Sequence, residues 1–211
     1  MKPIIIVGAG GFGREVEYLI ETINEASPTW DIKGYVDDSV PAGTKIGNSS
    51  VLGNLDYLKR VDTSVSLVIA IGSAKTRKKI YERIDSINVF NYPNLIDSEV
   101  RVSKRVTLGK GCIICAGCLL TVDITLGDFV ILNLGCTVGH DAQIAEFVTV
   151  YPSVNISGRV SICCNTEVGT GTQIIQGTKV AESCIVGAGT VIVKDIEEQG
   201  TYVGVPARKV K

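Results

Sequence analysis

The feature that most constrains this chain is a six-residue repeat that fills its C-terminal half. An aliphatic residue recurs at every sixth position from Ile96 to Ile192, seventeen times without a break. The repeated positions are Ile96, Val102, Leu108, Ile114, Leu120, Leu126, Leu132, Val138, Ile144, Val150, Ile156, Ile162, Val168, Ile174, Val180, Val186 and Ile192. Such a period fits neither an amphipathic α-helix, which repeats every 3.6 residues or so, nor a flat β-strand, which alternates its side chains. The segment must therefore turn at regular intervals.

Small residues on both sides of the aliphatic position indicate where the chain turns. The residue two places before is mostly small or β-branched, as at Cys112 and Thr172, and the residue just after is often small, as at Gly139. Short strands joined by tight corners account for this pattern. It resembles the hexapeptide repeat of left-handed parallel β-helices, in which three hexads make one triangular coil with the aliphatic side chain inside. The resemblance implies about five coils from Ile96 to Ile192.

The first 95 residues show a different pattern, in which strands and helices alternate. We predict strands and helices over the following segments, in chain order: strand Pro3–Val7, helix Arg14–Ile23, strand Ile32–Val36, strand Ser66–Ile71, helix Lys75–Ile87 and a further strand from Val89. This alternation predicts a small Rossmann-like parallel sheet with its ligand crevice at the carboxyl ends of the strands. The sequence thus predicts two domains, an α/β domain over residues 1–95 and a β-helix with a C-terminal tail over residues 96–211.

A glycine-rich turn follows the first predicted strand directly. Gly8, Gly10 and Gly13 fit the G-x-G-x-x-G fingerprint, in which backbone N–H groups and a helix N-terminus face a phosphate. The acidic pair Asp37 and Asp38 at the end of the second strand would suit NAD. However, a dinucleotide site needs two mononucleotide halves, and fewer than about 100 residues supply little more than one. The pattern favours the diphosphate and nucleoside of a nucleotide-activated sugar, with NAD or a purely structural turn as alternatives.

Composition excludes several classes of partner. The formal net charge of −1 leaves no basic field for nucleic acid or an anionic membrane surface. We find no signal peptide and no apolar run of membrane-spanning length, so we expect a soluble cytoplasmic protein. The seven cysteines are odd in number, which predicts free thiols. Four of them, Cys112, Cys118, Cys136 and Cys184, share one position of the repeat, which predicts small buried side chains. The metal-like spacing of Cys112, Cys115 and Cys118 is explained in the same way, and we expect no metal.

The chain contains one histidine, His140. Histidine has the unperturbed pKa nearest to neutrality, so a reaction that needs a proton acceptor at neutral pH would most naturally use it. A packed or solvated histidine without any role is the alternative. The repeat places His140 two residues after the inward-pointing Val138, beyond the corner at Gly139 and outside the aliphatic core. A single histidine also excludes the usual three-histidine zinc site of β-helical hydratases of the γ-carbonic anhydrase kind.

Taken together, these motifs resemble one family over essentially the whole chain. A truncated Rossmann-like half, hexapeptide repeats with Gly139-His140-Asp141, and a terminal Gly204-Val205-Pro206-Ala207-Arg208 are similar to bacterial sugar acetyltransferases of the PglD and NeuD type. The resemblance implies acetyl-CoA-dependent N-acetylation of a nucleotide-linked amino sugar in glycan biosynthesis. It further implies a homotrimer with its sites between subunits.

The resemblance also assigns roles to individual residues. It implies that His140 is the general base, followed by the acidic Asp141, that the Gly158 N–H is the oxyanion donor, and that Asn133 lies near the base. The implied acetyl-CoA contacts are Thr149, Gly158, Thr170 and Ala188. The implied nucleotide-sugar contacts are Gly10, Gly11, Phe12, Asp37, Asp38 and Gly72.

These roles are chemically consistent with direct transfer. Attack of a neutral amine on a thioester generates a positive nitrogen and a negative oxygen. His140 can take the proton from the nitrogen, and the Gly158 N–H can donate a hydrogen bond to the oxygen. O-acetylation of a sugar of the sialic-acid type would use the same base and donor. A covalent route through a cysteine is a further alternative, and a non-catalytic nucleotide-binding module is an alternative of another class.

Overall fold

The two periodicities of the sequence correspond to two units of the structure. The computed structural model describes residues 1–211 and divides into one unit of Met1–Gly72 with Thr76–Ser98 and another of Ser73–Lys75 with Glu99–Lys211. The first unit is a Rossmann-like α/β fold and the second is a left-handed parallel β-helix, which confirms the predicted fold class. Neither unit contains a helix that is both long and apolar enough to cross a membrane.

The N-terminal unit is built on a five-stranded sheet. Its elements are β1 (Lys2–Val7), α1 (Gly11–Ala26), β2 (Trp30–Val36), β3 (Lys45–Ile46), β4 (Ser49–Gly53), a 3-10 helix (Leu55–Arg60), β5 (Ser66–Ile69), α2 (Ala74–Asp85) and β6 (Leu95–Ile96). The strand order is β3-β4-β2-β1-β5, parallel except for the β3–β4 hairpin. The strand predicted from Val89 is only a single bridge between Asn91 and Ser66. The apolar run of β1 lies between β2 and β5, and its last four residues are buried on both faces of the sheet.

The β3–β4 hairpin, which the sequence analysis did not predict, is hydrogen-bonded to α1 through Glu17. The buried Glu17 carboxylate accepts hydrogen bonds from Tyr35 Oη and Ser49 Oγ, both at 2.6 Å. Burial and the hydrogen bond to Glu17 raise the pKa of Tyr35, so its hydroxyl remains a donor at neutral pH. One carboxylate thus joins the helix to β2 and β4.

The C-terminal unit winds short strands around a triangular prism. The strands are β7 (Arg101–Val102), β8 (Val106–Leu108), β9 (Ile113–Ile114), β10 (Leu119–Leu120), β11 (Ile124–Leu126), β12 (Ile131–Leu132), β13 (Thr137–Val138), β14 (Gln143–Ile144), β15 (Thr149–Val150), β16 (Asn155–Ile156), β17 (Ser161–Ile162), β18 (Glu167–Val168), β19 (Gln173–Ile174), β20 (Lys179–Val180), β21 (Ile185–Val186), β22 (Val191–Ile192), β23 (Thr201–Val203) and β24 (Arg208–Lys209). Every third strand pairs in parallel up to β22, so Val138 lies beside Ile156. Three sheets result: the first contains β7, β10, β13, β16, β19 and β22, and the second contains β8, β11, β14, β17 and β20. Within this unit, the third runs from β9 through β12, β15, β18 and β21 to the β23–β24 hairpin.

The repeated aliphatic residues form the core of this prism. All fourteen from Ile114 to Ile192 are no more than 2% exposed. The first three, Ile96, Val102 and Leu108, are not fully buried, and Val102 is 41% exposed. An inward side chain needs a coil on both sides to lose its contact with water, and these three belong to the first coil.

The corners differ in detail from the predicted turn. A positive φ occurs at every sixth residue from Gly111 to Gly189, three places after the aliphatic residue, and includes Asp141 with φ 60°. The small residue directly after the aliphatic position has another cause, because a Cβ at Gly127 would lie 2.6 Å from the backbone nitrogen of Glu146 in the next coil. Stacking of coils, and not backbone conformation, therefore selects glycine at that position.

Candidate active site

His140 lies at the corner that joins the first sheet to the second. Val138 points into the core, and the side chain of His140 is 53% exposed. The residue one coil further on at the same corner is Gly158, as the pairing of Val138 with Ile156 requires. The structure therefore puts the histidine outside the core and directly above a glycine.

The imidazole of His140 is oriented by the residue that follows it. Asp141 adopts the left-handed corner conformation, and its Oδ2 lies 2.7 Å from His140 Nδ1. Because an ionised carboxylate only accepts hydrogen bonds, Nδ1 carries the proton in this contact, and in the neutral imidazole the lone pair is then on Nε2. The pair thus prepares Nε2 to act as a proton acceptor.

Nε2 of His140 packs against the backbone of Gly158. A Cβ atom at Gly158 would lie 2.5 Å from Nε2, which is closer than real Cβ atoms approach. The Gly158 carbonyl accepts a hydrogen bond from Gly177 N, whereas the Gly158 N–H takes no part in the hydrogen bonds between coils. A basic nitrogen and an uncommitted backbone N–H therefore lie side by side, an arrangement that can accept a proton and stabilise a negative oxygen.

Asn133 lies at a different corner from His140. It follows β12 of the third sheet, and its Oδ1 accepts a hydrogen bond from Leu134 N at 2.7 Å. Thr170 and Ala188 are exposed at the same corner as Asn133, on later coils, and Thr149 is buried in β15 of the third sheet. A single chain thus brings together His140, Asp141 and Gly158 but not the other residues that the resemblance assigns to the β-helix.

In the N-terminal unit, the glycine turn leaves the start of α1 open. Gly10 is the N-cap without a side-chain hydrogen bond, Gly10 and Gly11 are exposed, and the first turn contains no acidic residue. Gly13 serves close packing, since a Cβ there would lie 2.1 Å from the carbonyl oxygen of Gly8. The free N–H groups and the helix dipole make this end suitable for an anion.

The start of α2 is already occupied by a protein carboxylate. The N–H of Ala74, the first residue of the helix, donates to Glu167 Oε1 at 2.9 Å. The other oxygen of Glu167 accepts a hydrogen bond from Tyr151 Oη at 3.1 Å. Of the two helix starts, α1 is therefore the one that leaves room for a phosphate.

A cavity of about 150 Å³ opens at the carboxyl ends of β1, β2 and β5. It is lined by Val7, Gly8, Val36, Asp37, Asp38, Ser39, Leu55, Ile71 and Ile80. In open parallel sheets, ligands bind outside the carboxyl ends of the strands, where the strand order reverses. The expected Asp37 and Asp38 line the cavity, while Gly10, Gly11, Phe12 and Gly72 are not among its lining residues. The sequence analysis did not predict Leu55 and Ile80 as lining residues, because only the folded structure brings them to this edge of the sheet.

Asp37 holds the glycine turn in place. Its Oδ2 accepts a hydrogen bond from Ala9 N at 2.8 Å, and its Oδ1 accepts from the backbone and hydroxyl of Ser39 and from Val40 N. Burial alone would raise the pKa of Asp37, but these hydrogen bonds outweigh it and hold the pKa below its usual value. The neighbouring Asp38 accepts from Leu55 N and forms an exposed ion pair with Arg83.

The cysteines do not resemble a nucleophilic centre. Hydrogen bonding with Cys118 and burial raise the pKa of Cys136, and burial raises the pKa of Cys184. A thiol with a raised pKa stays protonated at neutral pH and is a poor nucleophile. All seven cysteines are free, and the structure contains no group of three or more His, Cys, Asp or Glu side chains arranged to hold a metal ion.

Comparison with known proteins finds relatives of nearly the same length that contain both units. Residues 3–84 match the family described as PglD N-terminal domain. The structure superposes on the acetyltransferase domain of PglB from Neisseria gonorrhoeae, solved in complex with acetyl coenzyme A, with a TM-score of 0.89, 28% identity and 99% coverage of both chains.

Two further solved structures match over nearly the full length. PerB from Caulobacter crescentus, in complex with CoA and GDP-perosamine, gives a TM-score of 0.88 at 28% identity over 99% of this chain and 97% of that one. WeeI from Acinetobacter baumannii gives a TM-score of 0.88 at 28% identity over 98% and 99%. The similarity thus extends over both units of the chain.

Replacement of Asp37 by Asn tests its role in holding the glycine turn. We expect Asp37→Asn to lower the free energy of unfolding at pH 7 by about 1–3 kcal/mol, since the amide replaces a charged acceptor. Because the pKa of Asp37 is lowered in the folded state, its contribution is present above the unfolded pKa of about 3.9 and is lost as the pH falls below it. Urea unfolding at pH 7, 5 and 3 should therefore show the difference from wild type shrinking at pH 3.

The matched control is Asp31→Asn, since Asp31 forms an exposed ion pair with Lys33. Exposed pairs are worth at most about 1 kcal/mol, so this variant should stay close to wild type at every pH. Equal losses in the two variants would contradict the role of Asp37.

Proposed function

We propose that this chain, which belongs to the sugar acetyltransferase family of the PglD and NeuD type, transfers an acetyl group from acetyl-CoA to the amine of a nucleotide-linked amino sugar. The reaction belongs to bacterial glycan biosynthesis. Two of the relatives with both units were solved with ligands, the acetyltransferase domain of PglB with acetyl coenzyme A and PerB with CoA and GDP-perosamine.

The observation that carries the proposal is the contact of His140 Nε2 with the backbone of Gly158. A sugar amine that attacks the thioester becomes positively charged while the thioester oxygen becomes negative. His140, held by Asp141, takes the proton from the nitrogen, and the Gly158 N–H donates to the oxygen. The C–S bond then breaks and the proton that His140 took from the nitrogen passes to the sulfur, so CoA leaves as the thiol and His140 returns to its neutral form. No covalent intermediate with the enzyme is needed.

The N-terminal unit supplies a suitable place for the nucleotide. The open start of α1 offers backbone N–H groups of the Gly10-Gly11-Phe12 segment to the diphosphate. The cavity at the ends of β1, β2 and β5, which Asp37 and Asp38 line, receives the nucleoside. We therefore assign nucleotide-sugar binding to residues 1–95 and acetyl transfer to residues 96–211.

The distribution of residues over the prism supports a homotrimer with shared sites. Asn133, Thr170 and Ala188 occupy one corner and His140 with Gly158 occupies another, so one chain does not assemble the whole set. A neighbouring copy that brings its Asn133 corner to the His140 corner completes the site, with acetyl-CoA bound between the two subunits along Thr149, Thr170 and Ala188. We place the reaction in the cytoplasm, where acetyl-CoA is available and thiols stay reduced.

The proposed substrate class is tested with a panel of acceptors. The protein is incubated with acetyl-CoA and with UDP-linked and GDP-linked amino sugars, the corresponding free amino sugars and free sialic acid, and CoA release is followed. We expect release with at least one nucleotide-linked amino sugar and none with the free sugars, since the N-terminal unit binds the nucleotide. Release with sialic acid alone would establish the O-acetyltransferase alternative instead.

Removal of the base is the direct test of the mechanism. We expect His140→Ala to lower kcat by at least about a hundredfold, the usual worth of a general base. The half-exposed side chain contributes little to the core, so thermal unfolding and the oligomeric state by size-exclusion chromatography should be unchanged. Unchanged acetyl transfer would refute the role of His140 and favour a nucleotide-binding module or another base.

A single methyl group at Gly158 tests the contact itself. Gly158→Ala keeps the backbone N–H but forces the ring of His140 away from its place, and we expect kcat to fall at least about tenfold. The matched control is the same change in the His140→Ala background, where it should have little further effect. Additive losses in the double variant would show that Gly158→Ala acts elsewhere.

A further inference from the structure

We propose that Arg77 is a positioning residue of the nucleotide-sugar site, because its guanidinium fixes the turn at Ile71 and Gly72, and the Ile71 side of this turn lines the cavity. This inference rests on the proposed function and extends it to a residue outside the substrate contacts. Arg77 is not expected to touch the sugar or the nucleotide, since only 1% of it is exposed.

The burial of Arg77 is unusual for its position in the helix. It lies in the buried stripe of α2 with Ala74 and Ile84, where the helical spacing calls for apolar side chains. Removing a guanidinium from water is costly unless its N–H groups find acceptors. Arg77 Nη1 donates to the carbonyl oxygens of Ile71 at 2.7 Å and Gly72 at 3.0 Å. Two carbonyls of the loop that follows β5 are thus bound by this buried charge.

That loop belongs to the proposed ligand site. Ile71 lines the cavity, and it also packs beside the glycine turn, since a Cβ at Gly8 would lie 3.2 Å from Ile71 Cγ1. The peptide bond between Ile71 and Gly72 is trans, so a carbonyl that points at Arg77 turns the Gly72 N–H to the opposite side. Arg77 thereby fixes the peptide plane that carries Ile71, the residue of this loop that forms the apolar wall of the cavity.

The chemistry of the side chain explains why arginine stands here. Both bonds come from Nη1, whose two N–H groups are fixed in the plane of the guanidinium, so the two adjacent carbonyls are held in one arrangement. A lysine offers a single flexible ammonium group, which would not define the same geometry. An apolar side chain of similar length would suit the buried stripe but would leave both carbonyls without this donor.

The test compares Arg77→Ala and Arg77→Lys with wild type in the full-length protein. We expect KM for the nucleotide-linked amino sugar to rise at least about tenfold, while KM for acetyl-CoA stays within about twofold. Binding of UDP and of GDP, measured by calorimetry, should weaken in parallel with KM for the nucleotide that wild type prefers. Guanidinium chloride at low millimolar concentration should partly restore the KM of Arg77→Ala, since the ion fits the space that the side chain leaves.

The control is Lys79→Met, which removes a positive charge from the exposed face of the same helix and should leave both KM values unchanged. If the Arg77 variants bind nucleotide as wild type does, or if both KM values change together with a drop in Tm, the role of Arg77 is structural and the inference is wrong. If Arg77→Ala does not fold, Arg77→Lys decides by the same measurements. Wild type that binds no nucleotide would instead refute the proposed function itself.

Discussion

The hydrogen bonds between successive coils are the interaction on which the rest of this structure depends. Gly139 N donates to Ile156 O at 2.8 Å and Asn133 N donates to Val150 O at 2.9 Å, and the same pattern continues along the prism. Each bond fixes a residue directly beneath its counterpart in the next coil. His140 lies over Gly158 for this reason alone, so the register of the backbone creates the pairing of a basic nitrogen with a free N–H.

The same stacking decides which residue types the candidate site tolerates. Gly139 must be small because a Cβ there would lie 2.6 Å from Gly158 N, and Gly158 must be small because the imidazole occupies the place of its Cβ. Asp141 must accept a left-handed conformation, which Asp adopts more readily than most residues, and this conformation brings its carboxylate beside His140 Nδ1. The stacking of the coils and the proposed chemistry therefore both restrict the residue types at Gly139, His140 and Asp141.

Periodicity predicted the β-helix and the exposed position of His140, because both follow from counting in sixes. The contact with Asp141 was not predictable in the same way, since it depends on a φ angle that the repeat imposes three places after the aliphatic residue. Sequence analysis predicted a strand from Val89 that is only a single bridge, and it did not predict the β3–β4 hairpin. The reason differs here, because β-structure of so few residues is set by tertiary contacts such as those of Glu17. Arg77 did leave a signal, a charged residue in an apolar helical stripe, but its meaning required the positions of the carbonyls that it binds.

The structure of the first unit also bears on the choice between a dinucleotide and a nucleotide-linked sugar. In dinucleotide-binding folds, an acidic residue at the end of the second strand binds the ribose hydroxyls. Here the carboxylate of Asp37, at that position, accepts hydrogen bonds from Ala9, Ser39 and Val40. It stabilises the glycine turn, while the sheet supplies one mononucleotide half with one small cavity. A single nucleoside diphosphate would fit this arrangement better than a dinucleotide, because the open start of α1 can receive phosphates and the sheet offers one small cavity for one nucleoside.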